Sequence, residues 1–297
     1  MDKIKNNHYL LLHFIVFIWG FSPVLGRYIT VDAFSLVWYR IAVTVLAMYL
    51  YARFKKISLQ ITRKDNLVLI GTGLIILIHW LCFYGAIKVS NISVTMVSFS
   101  TGTLFSSIIE PILFKRKIRF YEVLLGLIII SGMVFIFNIE TSYRDGIYLG
   151  ILAALTGATF SGINGLMISK VRATVISLVE LLSAFIGLTI ILLLFGKFDS
   201  AFFKPDHDSV IGILLLSLVC TVFPFIASVN LLKNMSPYTQ VLTVNLETVY
   251  GIIWAIFLYN ENKDLNPKFY IGVIIILAAV FINPIIRKRL ELKKETI

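Results

Sequence analysis

The sequence predicts an all-α membrane fold: ten transmembrane helices in two inverted five-helix repeats. Three observations predict it. Ten runs of about 20 apolar residues fill almost the whole chain, and that is the length a helix needs to cross a hydrocarbon core of roughly 30 Å. The runs are continuous, not alternating, which separates them from the patterned strands of membrane barrels, the only other structure that satisfies its backbone in lipid. The connections between runs are short and leave no room for a water-soluble domain, in keeping with 58% apolar and 14% charged residues.

The predicted spans of the first half are Tyr9–Tyr28, Ala33–Ala52, Asn66–Ile87, Ile92–Phe114 and Phe120–Asn138. Those of the second are Ile147–Ile168, Val175–Leu194, Ser209–Asn230, Pro237–Tyr259 and Lys268–Ile286. Residues 1–138 then form one repeat, 147–286 the other, and 287–297 a basic tail. Span one carries His13, Trp19 and Pro23, exceeds the apolar core of a cleavable signal and lacks a small-x-small cleavage site. It shares with span six a texture of small residues: Gly20, Ser22, Pro23 and Gly26 in one, Gly157, Ser161, Gly162 and Gly165 in the other. Such residues serve bending and close helix packing alike. Cys82 and Cys220 are lone thiols inside spans three and eight, read as apolar filler and not as a disulfide framework.

Charge sets the orientation. Of the 27 basic residues, 19 lie on the side shared by the two termini, seven lie opposite, and Arg40 sits within a span. The excess of Lys and Arg on one side places both termini in the cytoplasm. The net charge of +11 is spread over rims that meet anionic headgroups, so the expected partners are membrane lipids and a small-molecule substrate, with no nucleic acid.

The two halves repeat. Val89–Gly126 lays onto Met235–Gly272 at a constant offset of 146 residues, matching Ser90 to Ser236 and Gly126 to Gly272. Spans two and seven share Ser-Leu-Val, at Ser35–Val37 and Ser177–Val179. With five spans per half, the second half enters the membrane from the opposite side. Inverted repeats of this kind commonly exchange conformations about a central site, the geometry of alternating access.

Ionisable residues inside spans are costly and face protein or a wet cavity. Four qualify: Arg40, Glu110, Glu180 and Glu247. Glu247 lies near the middle of span nine, on one helical face with Gln240, Thr243, Tyr250, Gly251 and Trp254. It can carry a proton, hold a substrate ammonium or hydroxyl, or hydrogen-bond a neighbouring helix. Thr101 occupies the equivalent position in span four, where Ser93, Ser100, Thr103, Ser107 and Glu110 share a face. Glu110, near Lys115 and Arg116, suits a rim salt bridge. Arg40 near the outer mouth suits either snorkelling or anion binding, and Glu180 is equally open. His79 beside Trp80 suits a cavity-facing hydrogen bond or proton handling. Asn164 and Asn245 complete the candidates. His13 and His79 differ in depth by roughly 12 Å, which rules out joint haem ligation. No nucleotide-binding loop, metal-spaced His/Cys cluster or nucleophile triad occurs, so neither an enzyme nor a cofactor is expected.

Several of these residues carry a resemblance. Trp19-Gly20-Phe21-Ser22-Pro23, Arg40, Phe83-Tyr84-Gly85-Ala86-Ile87, and Leu246-Glu247 followed by Asn260-Glu261-Asn262 make the chain similar to the EamA-type branch of the drug/metabolite transporter superfamily. The resemblance spans nearly the whole chain. It departs from the pattern at Thr248, where a Pro often follows the acid, and at Lys115, which stands where Glu261 stands in the second half. It implies a permease for efflux or exchange of small metabolites, commonly amino acids or related amphipathic solutes, across a bacterial inner membrane without ATP. The expected cavity lies among spans one, three, four, six, eight and nine, with Glu247 as anchor and His79, Trp80, Thr101, Asn164, Asn245, Arg40 and Trp254 around it. A lipid or polyprenyl-carrier flippase is the alternative within transport. A membrane redox protein and a non-transporting sensor are the alternatives outside it. The chain is expected to act as a monomer or homodimer.

Overall fold

The structure, a computed structural model, describes the backbone of residues 2–139, 141–200 and 202–295. The side chains of residues 1–6 and 287–297, which include Lys3, Lys5 and the expected basic tail, lie outside the described residues. Every described regular element is helical. In order these are α1 (Asp2–Trp19), α2 (Ser22–Tyr28), α3 (Ala33–Phe54), α4 (Arg63–Val89), α5 (Ile92–Phe99), α6 (Gly102–Leu113) and α7 (Phe120–Ile139). They continue with α8 (Arg144–Met167), α9 (Ala173–Leu194), α10 (His207–Ser217), α11 (Phe223–Leu231), α12 (Pro237–Tyr259) and α13 (Phe269–Glu295).

Eight stretches are long and apolar enough to cross a membrane: α1–α2 from Asn7, α3, α4, α5–α6, α8 with the turn before it, α9, α10–α11 and α12. They agree within a few residues with eight of the ten predicted spans. The other two predicted spans coincide with α7 and α13, whose described apolar stretches are shorter, Leu124–Ile136 and Phe269–Ala279. Helix α9 shows how the faces divide. Leu182, Ile186, Ile190 and Leu193 point outward, while Ser177, Glu180, Leu181, Ala184 and Leu188 are buried. An apolar outer face with polar groups turned inward is what a helix in lipid requires.

Three spans are interrupted, each for a local reason. Span one breaks at Gly20-Phe21, where Pro23 enters the first turn of α2 without an N–H to give. Span four breaks at Ser100-Thr101. There the hydroxyls of Ser98, Ser100 and Thr101 fold back onto the carbonyls of Val94, Val97 and Ser98 at 2.6–2.8 Å, a habit that bends helices. Span eight passes through a π-turn over Leu218–Val222. Pro224 cannot serve the Cys220 carbonyl four residues back, and Trp19 Nε1–H donates to that carbonyl instead, at 3.0 Å.

Two reciprocal contacts tie the halves together. In the first, α7 and α13 pack antiparallel, with Ile276 against Gly132 and Ile136 against Gly272; a Cβ at Gly132 would come within 2.7 Å of Ile276. In the second, acids near the ends of spans four and nine reach across to each other's starts. Asn260 takes the left-handed conformation (φ 54°) that ends α12 and turns Glu261 back, fully buried. Glu261 accepts from the Ile92 and Ser93 N–H groups at the start of α5, at 2.9 and 2.8 Å, and pairs with Arg27. At the opposite end Glu110 of α6 accepts from the Tyr238 N–H at the start of α12 and from Arg116 Nε–H at 3.1 Å. The rim salt bridge expected of Glu110 is therefore made with Arg116, and Glu110 does for the first half what Glu261 does for the second, although Lys115 holds the matching position.

Asp206 caps α10 outside the spans. It accepts from Ser209 N–H at 2.9 Å and Thr30 Oγ1–H at 2.6 Å. These bonds to the ionised form, the Thr30 hydroxyl first, hold the carboxyl well below its ordinary value of 3.8. A carboxylate lowered in this way stabilises the fold fully above 3.8 and loses that contribution as pH falls toward the folded-state value. The gap in thermal midpoint between wild type and Asp206→Asn is expected to be widest at neutral pH and to close in acid. A gap independent of pH would contradict this account.

Candidate functional site

A cavity opens among the spans, and its walls come from spans one, three, four, six, eight and nine as expected, with Arg40 added from span two. Glu247, Asn245 and Gln240 enter from α12, His79 and Trp80 from α4, Ser161 from α8, and Thr221 and Ser228 from span eight. Aromatic rings of Phe83, Phe99, Phe160 and Phe225 make up much of the remaining wall.

Arg40 is buried, 5% exposed, and does not snorkel to an outer mouth. Its guanidinium lies 3.9 Å from the centre of the Trp80 ring, a cation–π contact that partly replaces lost water. Nε–H donates to Thr221 Oγ1 at 2.9 Å and Nη1–H to Tyr84 Oη at 2.6 Å. The π-turn presents that Thr221 hydroxyl, whose own hydrogen goes to the Leu216 carbonyl five residues earlier at 2.7 Å. Short π segments of this kind recur at functional sites.

His79 Nδ1 lies 2.7 Å from the Ala153 carbonyl. A carbonyl only accepts, so Nδ1 carries a hydrogen. The ring sits between Phe99 and Phe160, with centroids at 5.6 and 5.2 Å. Gln240 Nε2–H donates to the Ser228 carbonyl at 2.7 Å and its Oε1 accepts from Ser161 Oγ–H at 3.1 Å. Asn245 donates to Thr103 Oγ1, joining α12 to α6. Glu247 differs from all of these. Among the described residues none hydrogen-bonds or ion-pairs with its carboxyl, which opens onto the cavity it shares with Arg40.

Three expected wall residues stand elsewhere. Thr101 is buried at the span-four break, where its hydroxyl is taken by Ser98, and the neighbouring Gly102 lines the cavity in its place. Asn164, one turn past Ser161, faces Glu180. Trp254 lies on Phe21, ring centres 5.1 Å apart, against the span-one break. Conversely, Thr221, Ser228, Phe99, Phe160 and Phe225 were not singled out from the sequence, and Phe83 and Tyr84 entered it only as part of the resemblance, not as cavity residues. The missed signal in span eight is Pro224, which disturbs the helix beside Thr221.

Eight helical stretches long and apolar enough to cross a membrane, set around an aromatic-walled cavity with a few buried polar groups, make this a multi-pass membrane protein. The EamA-like transporter family matches residues 7–138 and 148–283, nearly the whole chain in two copies. The chain belongs to that family, as the resemblance to the drug/metabolite transporter superfamily implied. A solved crystal structure of another protein superposes at a TM-score of 0.70 over 96% of this chain and 99% of that one, with 13% sequence identity; this likeness shows the fold. No curated protein matches the chain.

Proposed function

We propose that the protein is a secondary transporter, not an enzyme, that moves small zwitterionic metabolites such as amino acids by alternating access. It would have ten spans in two inverted five-helix repeats (1–138 and 147–286), lie in a bacterial inner membrane with both termini cytoplasmic, and work in the direction of export. The antiparallel seam of α7 with α13 and the crossed acids Glu110 and Glu261 support the inversion.

One observation carries the substrate class: Glu247 and Arg40 face one aromatic-walled cavity without pairing with each other. Ions left apart in a low-dielectric site are expensive, and a zwitterion meets both at once. Its ammonium would sit on Glu247, its carboxylate on Arg40 Nη2, and its side chain against Phe83, Phe99, Phe160 and Phe225. Thr101, Asn164 and Trp254 would act behind this wall, the first two by fixing helices.

Counterflow in proteoliposomes tests the proposal. Labelled L-phenylalanine or L-leucine is expected to accumulate against the same unlabelled solute inside. Phenethylamine and phenylpropionate, each lacking one charge, should compete at least about tenfold more weakly, since a charge-assisted hydrogen bond contributes about 1.5–3 kcal/mol. Equal competition by the amine alone would remove Arg40 from the site, and no counterflow by any zwitterion would overturn the substrate class.

A further inference from the structure

A second polar site lies beyond the cavity wall. Glu180 of α9 and Asn164 of α8 are buried, 0% and 1% exposed. Asn164 Nδ2–H donates to Glu180 Oε2 at 3.3 Å. Glu180 Oε1, Asn164 Oδ1 and Ser177 Oγ, the last one turn before Glu180 on the same helix, are buried with no hydrogen-bond partner. Helix α4 seals the position: at Gly73 it approaches so closely that a Cβ would fall on the Glu180 carbonyl and Ser183 Oγ. Orphaned buried oxygens are rare and call for an explanation.

The cluster connects to the cavity. Asn164 lies one turn from Ser161, whose hydroxyl donates to Gln240, and both Ser161 and Gln240 line the cavity. Among the described residues, no charged side chain from the elements packed on α9 faces Glu180. On α3, Arg40 turns to the cavity and Arg53 is exposed; on α4, His79 turns to the cavity, Asp65 bonds Thr62, Arg63 and Lys64 are exposed and Lys88 donates to the Ile29 carbonyl; on α8, Arg144 and Asp145 are exposed; α11 carries no ionisable side chain. An ammonium or guanidinium partner is therefore not what the carboxyl holds.

We propose that Glu180, positioned by Asn164, is the binding site of the proton that moves in exchange for substrate. The proposal rests on the transport reading above. A proton needs no coordination shell, fits the sealed packing, and would turn Glu180 Oε1 from an orphaned acceptor into a donor. On release the O–H bond breaks, the electron pair stays on the carboxylate and the proton passes to water admitted as the helices around Glu180 part in the transport cycle; nothing is oxidised or reduced. Substrate in the cavity would act on this event through Gln240, Ser161 and the shared helix α8.

The test uses proteoliposomes with pyranine inside and labelled L-phenylalanine as probe. Wild type is expected to move protons opposite to substrate. Glu180→Gln should keep counterflow within about twofold while proton movement falls at least tenfold and flux no longer responds to a pH gradient. Proton movement at the wild-type level in Glu180→Gln would overturn the proposal, as would wild-type flux that follows a sodium gradient at fixed pH. Should Glu180→Gln not fold, Asn164→Ala is read instead: the midpoint of its pH–flux profile must move by about one unit or more, and an unmoved midpoint rejects the site. Failure of wild-type counterflow would fall on the transport reading and not on Glu180.

Discussion

Glu247→Gln is expected to raise the half-saturating concentration of L-phenylalanine or L-leucine in counterflow by about tenfold to a hundredfold. The magnitude follows from the loss of one charge-assisted hydrogen bond, about 1.5–3 kcal/mol, at 1.4 kcal/mol per tenfold change. Folding should be little affected, because among the described residues no hydrogen bond or ion pair engages the Glu247 carboxyl. The variant thus separates recognition from stability: its thermal midpoint in detergent should match wild type while its saturation curve shifts. A wild-type saturation curve would remove Glu247 from the recognition of substrate.

Glu261→Ala is expected to destabilise the protein far more, and more than Glu110→Ala does. Glu261 is fully buried and holds two N–H groups at the start of α5 together with Arg27. Each buried N–H left without an acceptor costs about 1–3 kcal/mol. Glu110 serves a single N–H of this kind, that of Tyr238; the arginine partners, Arg27 at 34% and Arg116 at 27% side-chain exposure, both keep access to water and do not separate the two acids. Thermal unfolding in detergent should rank the midpoints wild type, Glu110→Ala, Glu261→Ala from highest to lowest. The opposite order of the two variants would show that the crossed acids do not clamp the helix ends as their geometry implies.

The helices were legible because lipid leaves a chain few choices. Apolar length alone located eight spans within a few residues and placed helices at the other two. The cavity was legible where a costly charged group in mid-span must face away from lipid, as with Glu247, or where a spacing puts polar groups on one face, as with Gln240 and Glu247. Thr101 was misplaced because the offset of 146 residues fixes depth in the membrane but not direction, and the break at Ser100-Thr101 turns the hydroxyl back on its own helix. Arg40 was set at the rim because an isolated helix would let it snorkel. Its burial depends on Trp80, Tyr84 and Thr221, which come from two other spans. The crossed contacts of Glu110 and Glu261 join residues more than a hundred positions apart, and nothing local in the chain announces them.

The wide turn over Leu218–Val222 corrects a slip in helical phase. It houses one residue more than ordinary helical closure needs, and each residue advances an α-helix by about 100°. Cys220 and Phe225 are buried five positions apart, a spacing at which a regular helix would lose its inward stripe. Rewinding this segment as regular α-helix with no residue removed would swing the lower half of the span by about a quarter-turn, carrying Phe225 and Ser228 off the chamber, whereas deleting one residue would leave Cys220 and Phe225 four apart and the inward stripe intact.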